Sequence, residues 1–241
     1  MSMLVVLYGH EKEKFPYFFT EMLLLRHRLF MEERGWALPM SRYREIDEYD
    51  CDKALYFFSV DDEDQRLQGL IRLTPSDIGS ITADHYPDLI NSGNRSRSKD
   101  VYEASRFLIR PDDLNSMRKV RFDLLYAVTT WCCLNDISYL QTVIDPNTIG
   151  QYIELSPFVT PQGLPESYGG GPEVPGGGKC MVIRISTNPP ALREMEHYAE
   201  FLDGVSFEPN IRLYDSKSLD EELKTRFSAA NQNGSLIRTR T

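Results

Sequence analysis

Three short blocks of the sequence combine arginine, acidic and aromatic residues. A carboxylate can act as a base or hold a cation, a guanidinium group binds carboxylates through paired hydrogen bonds, and an aromatic face attracts cations. The blocks read LRHRLFMEERGW, REIDEYD and YEASRF, and an arginine in a neighbouring strand-like run accompanies the third. These residues are the candidates for a functional site: Arg26, Phe30 and Trp36; Glu45, Asp47 and Asp50; and Glu103, Ser105 and Arg106 with Arg72.

Taken singly, each candidate also has a purely structural interpretation. Phe30 is typical of a core aromatic residue, the acids of the second block are typical of a solvated loop, and Arg72 is typical of a surface strand. In an extended strand, Glu103 and Ser105 share one face while Arg106 lies on the other. The residues of the third block therefore need not all reach one pocket.

Other common site chemistries find no support. The glycine-rich segment 169–178 ends in Gly178-Lys179, but a phosphate-binding loop would need glycine in place of Glu173 and serine or threonine in place of Cys180. The chain has no G-x-S-x-G nucleophile elbow. No histidine or cysteine spacing indicates a metal site; these residues are His10, His27, His85 and His197, and Cys51, Cys132, Cys133 and Cys180.

Composition places the chain among globular proteins. It has 241 residues, of which 41% are hydrophobic, and its 36 acidic and 27 basic residues give a net charge of −9. This charge argues against a nucleic-acid partner. The N-terminal apolar run is too short for a signal peptide, and no stretch is apolar enough to span a membrane. With no disulfide pattern among the cysteines, the sequence predicts a cytoplasmic protein.

Hydrophobic periodicity predicts a single α/β domain over residues 1–205. We expect a mixed, twisted sheet with helices on both faces. A polar extension over residues 206–241 grades into disorder, and the glycine-rich segment forms a flexible loop. The predicted strands are 4–7, 54–60, 68–73, 101–109, 139–144, 158–159 and 181–185, and the predicted helices are 15–33, 116–135, 148–155 and 190–202.

The order and spacing of the blocks resemble those of the LuxI-type autoinducer synthases, acyl-homoserine-lactone synthases that share the N-acetyltransferase (GNAT) fold. The matching pattern is R-x-x-x-F-x-x-x-x-x-W, E-x-D-x-x-D, G-x-x-R-L-x-P and E-x-S-R-F, and it covers about residues 20 to 110. Each piece is weak alone, but four pieces in this order make chance a poor explanation. Gly69, Leu73, Pro75 and Phe107 complete the match.

The resemblance implies a two-step reaction between S-adenosylmethionine and an acyl thioester. Glu103 is then the general base for acylation, with Arg72 and Arg106 as further catalytic residues. The family's S-adenosylmethionine site maps onto Arg26, Phe30, Trp36, Asp47 and Asp50. Both ligands are co-substrates, so the resemblance implies no separate cofactor and no metal.

The resemblance also implies a cleft for the acyl chain, lined by Phe107, Thr142 and Ile144. A hydroxyl at Thr142 can recognise a 3-oxo group in this family, and a core strand threonine is the alternative. The acyl donor is either acyl carrier protein or acyl-CoA. An acidic carrier protein needs a local basic patch, for which the candidates are Arg110, Arg118, Lys119 and Arg121; a solvated helix face is the alternative.

Three alternatives to this function remain open. The arginines and acids can form a purely structural ion-pair network. An N-acyltransferase of the same fold can use another amine as acceptor, and a sensor can bind one of the ligands without turnover. The sequence predicts neither the acyl group nor the oligomeric state.

Overall fold

A computed structural model describes residues 2–36, 38, 40–61, 66–91, 97–110, 113–156, 158–168, 177–203, 213–219 and 221. The strands are β1 (Ser2–Tyr8), β2 (Met40–Ser41), β3 (Arg44–Glu45), β4 (Leu55–Asp61), β5 (Leu67–Pro75), β6 (Val101–Ile109), β7 (Tyr139–Ile144), β8 (Val159–Pro161), β9 (Glu166–Tyr168), β10 (Gly178–Ser186) and β11 (Leu213–Tyr214). The α-helices are α1 (Pro16–Arg26), α2 (Ile81–His85), α3 (Leu114–Leu134), α4 (Ile149–Leu155) and α5 (Pro189–Asp203).

One large mixed sheet organises the described residues. Its strand order is β11-β1-β4-β5-β6-β7-β10-β8, with β9 also paired to β10. The β1–β11 and β6–β7 pairs are parallel, and the other pairs are antiparallel. The predicted mixed sheet, including the hairpin that became β4 and β5, is confirmed.

Both faces of the sheet are buried, because helices cover each of them. Along β4, Leu55 and Phe57 pack with α3 in one hydrophobic cluster, while Tyr56 and Phe58 pack with α1 in another. The alternation follows from the twofold side-chain period of a strand. The predicted helices on both faces are therefore confirmed.

Helix α1 continues into a π-helix before the helical segment ends. A π-helix over His27–Glu33 follows α1 directly, a geometry that is rare and frequent at functional sites. Gly35 has a φ of +69°, and the Trp36 N–H donates to the Phe30 carbonyl at 2.9 Å. Glycine is the residue that adopts this left-handed conformation at little cost, so it closes the helix end as its position predicted.

The strands β6 and β7 diverge along their length. They pair only where residues 101–103 of β6 meet residues 139–141 of β7, although β6 runs on to Ile109 and β7 to Ile144. A gap therefore opens in the sheet between the second halves of these two strands.

Several elements differ from the sequence-based expectation. The segment between α1 and β4, predicted to be irregular, contains the β2–β3 hairpin, and α2 was not predicted. Helix α3 begins at Leu114 with Asp113 as its cap, because the Asp113 carboxylate accepts the Ser116 N–H. Both hairpin strands have only two residues, too few to show a hydrophobic period.

Part of the polar extension packs on the domain. Leu213 and Tyr214 pair with β1, and Leu219 is fully buried. Residues 169–176 of the glycine-rich segment and most of the extension lie outside the described residues, so the flexible loop and the boundary at 205 stay predictions. Among the described helices, none is long and apolar enough to cross a membrane.

Gly69 lets α3 pack closely on β5, and we expect Gly69→Ala to destabilise the protein. A Cβ atom there would lie 2.8 Å from Val120 Cγ1 and 2.9 Å from the Leu108 carbonyl oxygen. Overpacking of this kind costs about 1–3 kcal/mol. The measurement is the free energy of unfolding in urea. Gly150→Ala is the matched control, because nothing lies within 4 Å of its added Cβ; equal effects of the two substitutions would contradict the packing role.

Candidate functional site

Three arginines and three carboxylates form a compact network on the α1 face of the sheet, here called the ion cluster. Its formal charge is zero. The loop after β3 supplies two acids, and α1, β3, β5 and β6 supply one member each. The members are Arg26 (α1), Glu45 (β3), Asp47 and Asp50 (the loop), Arg72 (β5) and Arg106 (β6).

Arg72 lies at the centre of the ion cluster and is fully buried. Its Nη1 is 2.5 Å from Asp47 Oδ1 and 2.7 Å from Asp50 Oδ1, and its Nη2 is 2.9 Å from Asp47 Oδ2. Its Nε donates to Ser105 Oγ at 3.1 Å. Four donor contacts to fixed partners give this guanidinium one orientation.

Arg26 is fully buried as well. It forms a bidentate pair with Asp50, with Nη1–Oδ1 and Nη2–Oδ2 distances of 2.7 and 2.9 Å, and its Nε donates to Glu45. Glu45 also has no exposed surface. In this structure the Arg26 guanidinium contacts Glu45 and Asp50. Its predicted contact with S-adenosylmethionine stays a prediction.

The expectation that Arg106 lies on the face opposite Ser105 is wrong. A β-bulge sets two β6 residues, Arg106 and Phe107, against one β5 residue, and Arg106 has a φ of +53°. Its side chain therefore reaches the ion cluster, with Nη2 2.7 Å from Glu45 Oε1 and 2.8 Å from Asp47 Oδ2. At 13% side-chain exposure it is the most accessible of the three arginines.

The cluster's charges strongly perturb protonation. Burial by itself would raise the pKa of Asp50, but the positive charges of Arg72 and Arg26 lower that pKa well below its usual range. Burial lowers the pKa of Arg72, and the charges of Asp50 and Asp47 more than reverse this, so that Arg72 stays cationic. The Tyr56 hydroxyl adds a 2.8 Å hydrogen bond to Asp50.

An aromatic pair lies beside the ion cluster. The rings of Phe30 and Trp36 stack with centroids 5.2 Å apart and planes 13° from parallel. The Arg106 guanidinium lies 5.2 Å from the Phe30 centroid, and Arg34 lies over both rings at 5.4 and 5.6 Å. These faces therefore contact cationic side chains in this structure. Their predicted contact with S-adenosylmethionine stays a prediction.

Glu103 occupies a separate buried niche and is 1% exposed. Its Oε1 accepts from the Thr82 hydroxyl at 2.7 Å and from the Thr82 N–H at 3.3 Å. Its Oε2 accepts from the Ser80 hydroxyl at 2.9 Å and from Gln141 Nε2 at 3.1 Å. Burial raises the pKa of Glu103 above its ordinary value, although these hydrogen bonds act in the opposite direction.

The predicted acyl-binding residues lie on the α3 face. Phe107 and Ile144 belong to the cluster packed around α3, and the Phe107 ring lies 6.4 Å from the Tyr152 ring. Thr142 lies between Gln141 and Val143 on β7, is buried, and makes one 3.5 Å contact to the Val143 carbonyl. Glu103 lies where β6 and β7 are still paired, whereas Phe107, Thr142 and Ile144 lie on the diverging parts of these strands.

The residues of the predicted basic patch are only partly exposed, and one of their charges is offset by a neighbouring acid. Arg110, Arg118 and Lys119 are exposed, and Arg121 is half-buried. Lys119 Nζ lies 2.6 Å from Asp123 Oδ2, so an acid one turn along α3 offsets its charge.

Sequence reasoning missed the residues that surround Glu103. Ser80, Thr82 and Gln141 come from a short helix start and a neighbouring strand, and their types carry no motif. A cavity of about 740 Å³ adjoins this region, with Tyr49, Thr74 and acidic side chains in its wall. Among the described residues, no group of three or more histidines, cysteines or acids is placed to hold a metal ion.

Comparison with known proteins identifies relatives of the chain. Residues 11–149 match the family model described as autoinducer synthase. An acyl-homoserine-lactone synthase of Vibrio anguillarum is 29% identical over 111 residues, which are 46% of this chain and 57% of that protein. An isovaleryl-homoserine lactone synthase of Bradyrhizobium diazoefficiens is 28% identical over 142 residues, 58% of this chain and 63% of that protein. The chain thus spans less than two thirds of the length of either relative.

Solved structures show the same fold. BjaI, a CoA-dependent acyl-homoserine lactone synthase solved with SAM and isopentyl-CoA, matches with a TM-score of 0.73 at 21% identity over 90% of this chain and 94% of its own. MesI, another CoA-dependent acyl-homoserine lactone synthase, matches with a TM-score of 0.68 at 18% identity over 85% of this chain and 97% of its own. FeeM, an N-acyl amino acid synthase from uncultured soil microbes, matches with a TM-score of 0.54 at 17% identity over 83% of this chain and 99% of its own.

We expect Arg72→Met to destabilise the protein strongly, because it leaves Asp47 and Asp50 with fewer cationic partners. Removing one member of a buried ion pair costs about 3–5 kcal/mol. The matched control is Arg28→Met, whose pair with Glu33 is exposed (63% and 48%) and is worth about 1 kcal/mol or less. Urea unfolding at pH 7 measures both variants, and similar losses would show that the ion cluster does not stabilise the fold.

Proposed function

The chain belongs to the autoinducer synthase family, and on that premise we propose that it is an acyl-homoserine-lactone synthase. It transfers an acyl group from an acyl thioester to the amine of S-adenosylmethionine, closes the lactone and releases methylthioadenosine. The product is a quorum-sensing signal made in the bacterial cytoplasm. The observation that carries the proposal is that each of the four blocks of the family pattern contributes charged residues to one face of the sheet, where Glu103 lies on the same strand as Arg106 of the ion cluster.

The first step forms an amide. The amine nitrogen of S-adenosylmethionine attacks the thioester carbonyl, the C–S bond breaks, and the donor leaves as a thiol. The amine must first lose a proton, and Glu103 accepts it as the general base. The hydroxyls of Ser80 and Thr82 both donate to Glu103, so a proton can reach the carboxylate through them. A raised pKa makes Glu103 a stronger base than a solvated glutamate.

The second step closes the lactone. The substrate carboxylate oxygen attacks the γ-carbon, and the bond from that carbon to the sulfonium sulfur breaks, which releases methylthioadenosine. The leaving group is already cationic, so positioning contributes more than acid–base help. Arg106 is the accessible guanidinium for the carboxylate, and the faces of Phe30 and Trp36 suit the sulfonium and adenine.

The gap between β6 and β7 gives the acyl donor a route to the apolar residues on the α3 face and to Glu103 on the α1 face. The acyl chain lies on the α3 face near Phe107, Thr142 and Ile144, and the reacting carbonyl lies at the gap. The amine approaches from the α1 face, where Glu103 lies. Water is excluded from the niche because Glu103, Ser80 and Thr82 are all buried.

We assign CoA, rather than a carrier protein, as the carrier of the acyl group. Two observations favour it. The net charge of −9 opposes docking of the extended acidic surface of a carrier protein, whereas the phosphates of CoA need only a few local donors. Asp123 also offsets one of the four basic residues that would counter this repulsion. BjaI and MesI, which share the fold, are CoA-dependent.

A second candidate is an N-acyltransferase with another amine acceptor. The fold similarity to FeeM, an N-acyl amino acid synthase, favours it as the alternative. It would consume the thioester without releasing methylthioadenosine.

The proposed function predicts two products in equal amounts. Purified protein is incubated with S-adenosylmethionine and a panel of straight, branched and aromatic acyl thioesters, and mass spectrometry measures lactone and methylthioadenosine. We expect Glu103→Gln to lower the rate at least about 100-fold, since general-base catalysis contributes that much, and to retain the circular dichroism spectrum. The matched control is Glu194→Gln at an exposed position of α5.

Other outcomes of this assay contradict specific parts of the proposal. Full activity of Glu103→Gln would rule out its role as base. Thioester consumption without methylthioadenosine would show a different amine acceptor. Binding of S-adenosylmethionine with no turnover of any thioester would indicate a sensor.

The donor assignment predicts a higher kcat/KM for acyl-CoA than for the same acyl group on acyl carrier protein. The double variant Arg118→Glu, Lys119→Glu should raise the KM for the carrier-bound substrate strongly, because two reversed charges repel a whole acidic surface. Arg193→Glu, exposed on α5, is the control. A higher kcat/KM for the carrier-bound substrate in the unmodified protein would overturn the assignment of CoA.

A further inference from the structure

A row of polar side chains runs across three strands and ends at Glu103. Arg184 on β10 is the register partner of Gln141 on β7, and Gln141 is the register partner of Glu103 on β6. Register partners on one face have adjacent side chains. The row therefore links a half-buried arginine to the fully buried carboxylate through a single amide.

Arg184 determines which way the Gln141 amide points. Its Nε and Nη2 donate to Gln141 Oε1 at 3.1 and 3.0 Å. A guanidinium has no acceptor, so it binds only the oxygen end of the amide. The amide nitrogen is then turned toward Glu103, to which it donates at 3.1 Å.

The orientation of this amide matters for the charge on Glu103. An N–H donor stabilises a carboxylate, whereas a carbonyl oxygen at the same place would stabilise the protonated acid. The Thr82 N–H is likewise a donor, while the hydroxyls of Ser80 and Thr82 can rotate and serve either form. Of the side-chain partners of Glu103, Gln141 is therefore the one whose orientation favours one protonation state.

The charged groups around the niche have other partners. On β5 and β6, Arg72 and Arg106 pair with the acids of the ion cluster. On α2, Asp84 accepts from Tyr49 and pairs with Arg97. Beside Arg184, the Tyr139 ring lies 5.9 Å from its guanidinium, and the charges of Asp100 and of Glu103 itself are close enough to influence it. The four groups that hydrogen bond to Glu103 are uncharged.

We propose that Arg184 and Gln141 are positioning residues that keep Glu103 ionised and ready to accept a proton. Arg184 acts through Gln141, because its guanidinium binds the amide oxygen while the amide nitrogen binds the carboxylate. The inference rests on the proposed function in assigning Glu103 as the base, but the effect on its protonation exists with or without turnover.

The pH dependence of kcat/KM tests this relay. A base must be ionised, so activity falls as the pH drops through the pKa of Glu103. In Arg184→Met the Gln141 amide can rotate so that its oxygen faces Glu103. We expect the acid limb of the kcat/KM profile to move to higher pH by about one pH unit, which lowers kcat/KM about tenfold on that limb. The alkaline plateau should be unchanged. Arg184→Lys should recover part of the shift, since an ammonium donates to the same oxygen. Arg193→Met is the charge-matched control.

A double-mutant comparison tests whether Arg184 acts through Gln141. Gln141→Leu should shift the acid limb in the same direction as Arg184→Met. The double variant should shift it by less than the sum of the two, because both substitutions remove the same donor and only the direct attraction between the Arg184 and Glu103 charges remains to be lost. Additive shifts would overturn the relay. A loss of activity that is equal at every pH would show a purely structural role and would overturn it as well.

Infrared spectroscopy supplies a readout that needs no turnover. The carboxylic acid C=O band that is present in the unmodified protein and missing from Glu103→Gln reports protonation of Glu103. We expect this band to appear at higher pH in Arg184→Met. If the band shifts while no variant makes lactone, the proposed function fails and the relay stands. If the band does not shift, the relay is overturned even when lactone is made.

Discussion

The buried ion cluster is the interaction on which the rest of the site depends. Three guanidinium groups and three carboxylates are held out of water, and each would be strongly unfavourable there without the others. Because α1, β3, the loop after it, β5 and β6 each supply members, the charges constrain how these elements lie relative to one another. The four hydrogen bonds of Arg72 fix the strands beneath it and the loop above it together.

Two irregularities of strand β6 shape the proposed reaction site around the ion cluster. The bulge in β6 reverses the alternation of side chains, so that Arg106 joins the ion cluster and Phe107 turns to the α3 face. The divergence of β6 from β7 opens the sheet next to Glu103. Together they place the ion cluster and the apolar residues around Phe107 on opposite faces of one sheet, and in the proposed function these are the acceptor site and the acyl site.

The acids of the site have opposed environments. Asp50 contacts two arginines, which hold its pKa low, whereas Glu103 is surrounded by uncharged donors and burial raises its pKa. Acids whose environments push their pKa values apart take different roles. The aspartates keep the positive charges in place, and Glu103 is left as the acid that the proposed function uses to accept a proton.

The sequence by itself determined the main elements and the composition of the site. Long periodic runs such as β4 and α3 show their burial pattern directly, and the order of the four blocks identified the family. The short β2–β3 hairpin and α2 could not be predicted, because two to five residues carry no periodic signal. The face on which Arg106 lies and the Arg184–Gln141–Glu103 row were decided by tertiary structure alone. Both depend on a bulge or on strand register, which bring together residues that are distant in the chain.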